Sequence, residues 1–131
     1  MSLKLEILSP ERLFFSKENV YQVIIPAYEG EMGILQDHIP IISFLKPGIL
    51  KVYNSENQID NFFIEDGIIE FTENCLTVLT SDISDLKNLD KSKITQIVSN
   101  AEKELNDENI DDNRKYLINQ KLDTLKSFLL N

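Results

Sequence analysis

Hydrophobic and polar residues alternate from the third residue onward. Leu3, Leu5 and Ile7 are separated by Lys4 and Glu6, the period of two expected of a strand with one buried face. Ser9-Pro10-Glu11 predicts a turn. Strands are predicted over residues 13–15 and 20–25, the second ended by Pro26, which has no N–H to give a ladder. Gly30 and Gly33 bracket a predicted tight turn. Residues 39–45 are apolar but interrupted by Pro40, Pro47-Gly48 predicts a turn, and residues 49–53 resume a strand. Residues 54–58 have hairpin-loop composition. Strands over 61–65, 68–71 and 76–79 complete the set, with turns at Asp66-Gly67 and Glu73-Asn74. Short strands at this spacing predict a sandwich or a barrel.

The period changes near residue 88. No glycine follows Gly67 and no proline follows Pro47. Ile94, Ile97, Val98, Ala101 and Leu105 fall on one face of a helix. Asp90 or Ser92 is the expected N-cap, since a side-chain oxygen there can accept free N–H groups of the first turn. Asn106-Asp107-Glu108-Asn109 breaks the helix, and Asp111 or Asp112 is placed to cap a second one. Ile118, Leu122, Leu125 and Leu129 repeat the stripe. The chain therefore divides into a β-sheet domain, residues 1–87, and an antiparallel two-helix hairpin, residues 88–131. Isolated helices this short are marginal in water, so the hairpin is expected to be the least stable and most movable part.

Charge sharpens this division. The chain carries 22 acids and 13 bases, a formal net charge of −9. Residues 1–88 hold a net −8, residues 89–112 a net −4 and residues 113–131 a net +3, so the two helices should attract one another modestly. The acidic balance argues against nucleic acid, which needs clustered Lys and Arg. A hydrophobic content of 42% is too high for a disordered chain. The single cysteine, Cys75, excludes an internal disulfide and a thiolate metal cluster, and reads as a small core residue. No run approaches the roughly 20 apolar residues of a membrane-spanning helix, and the N-terminus has no signal or transit character. Any membrane association is expected through a partner, without direct insertion.

The search for chemistry returns little. His38 is the sole histidine, with Glu29, Glu31 and Asp37 nearby in sequence. A metal site needs three or more converging ligands, and an acid–base site needs a second group and a pocket. The expectation is no catalytic residue, no metal and no cofactor; a small enzyme built around His38 is the weakest of the competing readings. There is no Gly-x-Ser-x-Gly elbow and no Gly-rich phosphate cradle. The segment from Tyr28 to Pro40 is unusual for an exposed loop. Composition alone reads it as a bulged hairpin with charges for solubility, or as a partner-facing tip.

The order of residues in that segment favours the tip. The run Glu29-Gly30-Glu31-Met32-Gly33-Ile34-Leu35-x-x-His38-x-Pro40, followed by Leu45-Lys46-Pro47-Gly48, closely resembles the epsilon subunit of F-type ATP synthases. Ser9-Pro10-Glu11-Arg12 and the pair Asp66-Gly67-Ile68-Ile69-Glu70 with Leu76-Thr77-Val78-Leu79 are similar to other parts of that family. The resemblance implies a β-sandwich of about ten strands followed by the hairpin, mainly β with an α-helical tail. It implies a non-catalytic rotor part in the central stalk, coupling the gamma subunit to the membrane c ring during proton-driven ATP synthesis. It implies a peripheral location on the cytoplasmic face of the bacterial inner membrane. Carried over, Glu29, Gly30, Glu31 and Met32 would meet the c ring, and Gly33, Asp37, His38 and Pro40 would lie at the interface with gamma or the ring.

The chain departs from the family pattern in three places, one of them Asp66-Gly67 where a Gly-Gly pair often stands, and the departure in the tail bears most on function. The family usually has Pro-Gly or Pro-Asn before the histidine, where this chain has Gln36-Asp37. Some bacterial members bind ATP through Ile/Leu-Asp-x-x-Arg-Ala, where this chain has Leu89-Asp90-Lys91-Ser92-Lys93-Ile94. Asp90 and Lys93 would be the nucleotide-binding positions, but lysine lacks the planar fork of arginine. The expectation leans against bound ATP. The alternative function, a nucleotide-sensing module that binds ATP at its hairpin, rests on that motif. The hairpin of many members extends into the catalytic head and blocks hydrolysis. Arg114, Lys115, Lys121 and Lys126 would be the inhibitory face, meeting the alpha and beta subunits, or else a solvated, helix-stabilising face.

Overall fold

The computed structural model of the chain describes residues 2–54 and 58–129. Nine strands come first: β1 (Leu3–Leu8), β2 (Leu13–Ala27), β3 (Gly30–Leu35), β4 (Ile41–Leu45), β5 (Gly48–Asn54), β6 (Ile59–Ile64), β7 (Gly67–Thr72), β8 (Cys75–Leu79) and β9 (Ile83–Asp85). A single 3-10 turn at Leu86–Asn88 leads to α1 (Lys91–Leu105) and α2 (Asp112–Leu129). The sandwich and hairpin are as the resemblance implies, with nine strands among the described residues.

Strand β2 runs for 15 residues and belongs to both layers. Its first half pairs with β1, Leu5 opposite Lys17 and Ile7 opposite Phe15. Its second half lies between β3 and β5. One layer is β1-β8-β7-β4, with β1 and β8 parallel, and the other is β3-β2-β5-β6-β9. Alternating side chains of both layers fill the first core, including Leu5, Ile7, Val23, Ile25, Leu50, Phe62, Ile69 and Leu76. Phe14 and Phe15 meet Phe62 edge-on at centroid distances of 6.1 and 5.0 Å.

Three sequence expectations are corrected. Pro26 does not end its strand but is buried within it, opposite Glu31. Its carbonyl accepts a bond from the Lys46 N–H at 3.0 Å, so its nitrogen also points toward the β4–β5 corner. The β2–β5 ladder has ended by then at Ile24, and the missing donor leaves no gap in it. Gly30 and Gly33 do not bracket a turn. The turn is the two-residue loop Tyr28-Glu29, Gly30 closes it at φ 131°, and Gly33 lies mid-strand in β3. The short strand β9 is not among the predicted strands, because three residues are too few to carry a readable period. In the expected loop at 54–58, the Asn54 N–H donates to the Gln58 carbonyl and the Gln58 N–H donates to Asn54 Oδ1, each at 3.0 Å; residues 55–57 lie outside the described residues.

The hairpin follows its stripe. Asp90 caps α1, accepting from the Lys93 N–H at 2.9 Å, and Asp111 accepts from the Arg114 N–H at 2.7 Å at the start of α2. Ile94, Val98, Ala101, Ile118, Leu122 and Leu125 form a second core with Phe63 and Leu86. Ile49 packs partly against it. The hairpin therefore lies folded down on the outer face of β5 and β6. Arg114 pairs with Glu104, and Lys126 lies 3.6 Å from Glu102, so the opposite charges of the helices do meet. The connector is tied back through Lys87, 2.9 Å from Asp60 on β6, which Lys17 also approaches at 3.5 Å.

The Lys87 ammonium holds the Asp60 carboxyl below its ordinary value, and Arg114 does the same for Glu104. A carboxyl with a depressed folded pKa adds stability above its unfolded value of about 4, and that stability is lost as pH falls through the folded value. The melting temperature should hold from pH 7 to pH 5 and fall below about pH 4. Asp60→Asn should lower it at pH 7 by about 3 °C, read by circular dichroism, and should blunt the acid decline.

Candidate docking surface

The outer faces of the two layers differ. The β5–β6 side is covered by α2, whereas among the described residues no element covers the outer face of β1-β8-β7-β4. The register aligns Leu8 with Leu79, Leu79 with Ile68 and Ile68 with Phe44, so four apolar side chains cross four strands in one row. Phe44 is 66% exposed and Ile42, two residues back on β4, is 64% exposed. Leu8, Pro10, Phe44, Ile68 and Leu79 line a shallow groove of about 400 Å³. Water-exposed apolar surface in a contiguous row is the usual mark of an interaction site.

Phe44 also joins this row to the β2–β3 tip. The Tyr28 N–H donates to the Phe44 carbonyl at 3.3 Å. A second groove, about 600 Å³, is lined by Tyr28, Glu29, Met32, Ile42 and Phe44. The acidic residues of the tip part company here. Glu29 borders this groove, while Glu31 borders the cleft beneath α2 with Lys46 and Lys51. Met32 packs partly into the main core, so its exposure at the tip is partial.

The other candidate interface residues lie elsewhere. Gly33 sits midway along β3, and Asp37, His38 and Pro40 follow its far end, about 20 Å from the tip at the rise of a strand. The His38 ring sits edge-on to Phe71 at 5.9 Å, and its Nδ1 lies 2.7 Å from the Ile39 carbonyl. A carbonyl only accepts, so Nδ1 carries the proton. Among the described residues, no group of three or more His, Cys, Asp or Glu side chains is placed to hold a metal ion.

On the hairpin, Asp90 directs its carboxylate to the cap and to Ser92 Oγ at 2.7 Å, which holds its pKa down. Lys93 is exposed one helical turn away. Of the four basic residues on α2, Arg114 and Lys126 pair with acids of α1 and Lys121 pairs with Glu65 at the end of β6. Lys115 is exposed. With the hairpin folded down, three of these four basic side chains thus have internal partners. Burial pushes the Lys121 pKa down, and Glu65 is the carboxylate beside it that favours the charged form.

Sequence reasoning missed the row Leu8, Leu79, Ile68 and Phe44. A signal for it existed: residues 41–45 are apolar on both strand faces, although an antiparallel strand with one solvated face should alternate.

The family model for the β-sandwich domain of the ATP synthase delta/epsilon chain matches residues 2–85. The ATP synthase epsilon chain of Pelagibacter ubique (strain HTCC1062) is 52% identical over 124 residues, 95% of each chain. That of Parvibaculum lavamentivorans is 39% identical over 95% of this chain and 92% of the relative. Among solved structures, a chain of the Euglena gracilis mitochondrial ATP synthase OSCP/F1/c-ring assembly superposes with a TM-score of 0.79. It is 20% identical, over 98% of this chain and 81% of that one. A chain of the Tetrahymena thermophila mitochondrial ATP synthase central stalk and c-ring superposes with a TM-score of 0.65 at 14% identity, over 98% and 97%. At these identities the two structures speak to the fold alone.

Proposed function

Since this chain belongs to the ATP synthase delta/epsilon family, as a non-catalytic epsilon chain of that complex, we propose that it couples the gamma subunit to the c ring as a part of the rotor. The observation that carries this reading is the bare apolar row on β1-β8-β7-β4, continuous through Phe44 with the tip at Tyr28 and Glu29. The row is the gamma-docking face and the tip is the c-ring contact. An apolar face supplies affinity by burial, and the acid at the tip guides approach to a basic loop. Among the described residues no helix is long and apolar enough to cross a membrane. The chain would be held peripherally, on the cytoplasmic face of a bacterial inner membrane, through its partners.

Phe44→Ser and Ile42→Ser remove exposed groups and should each leave the melting temperature within about 2 °C of wild type. The double variant should nonetheless fail to co-purify with gamma and c subunits. Undiminished co-purification would remove the docking reading.

The hairpin is the movable regulator in this reading. Its second core is small, and among the described residues Lys121–Glu65 is the ion pair that joins α2 directly to the sandwich. Release of α2 would free Lys121 for an acidic surface on the alpha and beta subunits. Deleting residues 89–131 should raise ATP hydrolysis by the assembled enzyme. Glu65→Gln weakens the folded-down form and should lower hydrolysis. Equal rates in wild type and deletion would remove the inhibitory role.

A further inference from the structure

The β7–β8 connection is a two-residue loop between the paired Thr72 and Cys75. Glu73 and Asn74 both lie in the left-handed region, at φ 52° and 58°. This is the mirror-type hairpin turn, whose second position glycine suits best. Asn74 stands there instead, and its amide reaches a distant loop. The Asp37 N–H donates to Asn74 Oδ1 at 2.7 Å, and Asn74 Nδ2 donates to Asp37 Oδ1 at 3.1 Å. Asp37 is itself left-handed, at φ 65°.

These groups are exposed, where hydrogen bonds exchange with water and add little to folding. Their effect is geometric, because a closed ring of two bonds fixes both position and direction. Beyond Asp37 the chain continues in a set path: the His38 N–H donates to the Leu35 carbonyl at 3.1 Å, and the His38 ring is held against Phe71. The result is Ile39 held outward, 73% exposed, the most exposed of the large apolar side chains among the described residues. Left-handed residues retained at an exposed site point to what they orient.

We propose that Asn74 is a positioning residue of the docking surface: its clamp on Asp37 presents Ile39 and Pro40 ready-made to the gamma subunit. This rests on the docking reading above, which the loop joins through a shallow groove lined by Pro40, Ile42 and Phe71. A loop set in its bound shape avoids the ordering cost of association.

The test uses the full chain and an ATP synthase F1 complex stripped of its epsilon chain, with affinity and melting temperature both measured. Asn74→Gly keeps the turn and deletes only the amide. It should melt within about 2 °C of wild type or higher, yet bind about tenfold more weakly. Asn74→Asp sets two carboxylates face to face and should bind weakly as well. Adding Asp37→Asn to Asn74→Asp exchanges donor and acceptor, re-forms both bonds, and should return affinity to within about twofold of wild type. A wild-type affinity for Asn74→Gly, or no recovery in the double variant, overturns the clamp while leaving docking intact. A wild-type chain that fails to bind the stripped complex overturns the docking reading and the clamp with it.

Discussion

The rest of the structure depends on one strand serving two layers. Strand β2 gives its first half to β1 and its second half to β3 and β5. A strand that changes layers must turn its apolar face as it crosses. The turn is visible at residues 19–23. Asn19 is left-handed, the register slips between Val20 and Gln22, and buried Val20 is followed by buried Val23 at a spacing of three. A bulge of this kind bends the strand and re-phases its side chains. Without it, Val23 and Ile25 would face solvent, and the two layers would have no common core.

The second core is built on the back of the first. Residues 62–64 are buried in succession, which an alternating strand does not allow unless both faces are covered. Phe62 and Ile64 face the sandwich interior, and Phe63 faces the hairpin. The helices cannot cover their stripes alone, and β5–β6 cannot shed Phe63 and Ile49 into water. Each needs the other. The dependence is unequal, however. The sandwich has a core of its own without the helices, whereas the helical stripe is covered only against β5–β6.

How much of this was legible in the sequence follows from the period of each signal. The strand alternation of 3–8 and the helical stripe from Ile94 to Leu125 were plain, since each matches one regular period over several repeats. The caps at Asp90 and Asp111 were legible as one of two choices each. Pro26 has no N–H to give a ladder, but the β2–β5 ladder ends at Ile24, and where a ladder ends is set by a distant strand that local sequence does not show. The site was legible only as a segment. Glu29 through Pro40 stood out, but sequence treats twelve neighbouring residues as one place, and β3 carries the two ends of that segment far apart. Pairs such as Asp37 with Asn74 and Lys121 with Glu65 join residues 37 and 56 positions apart, and no local pattern marks them.

The two outer faces of the sandwich pose the same physical problem and receive different answers. Both carry apolar side chains that water would disfavour. The β5–β6 face holds Phe63 and Ile49, and the chain supplies its own cover in α2. The β1-β8-β7-β4 face holds Leu8, Leu79, Ile68 and Phe44, and the described chain supplies none. A fold that can make a helical lid, and places it on one face only, leaves the other for a different molecule. In the proposed reading the self-covered face belongs to the movable part, and its cover is a small second core with the Lys121–Glu65 ion pair at its edge. In the same reading the other face belongs to the lasting contact: its apolar row Leu8, Leu79, Ile68 and Phe44 is flanked by Glu6, Thr77 and Glu70, so burial can supply affinity while the charged row beside it sets direction.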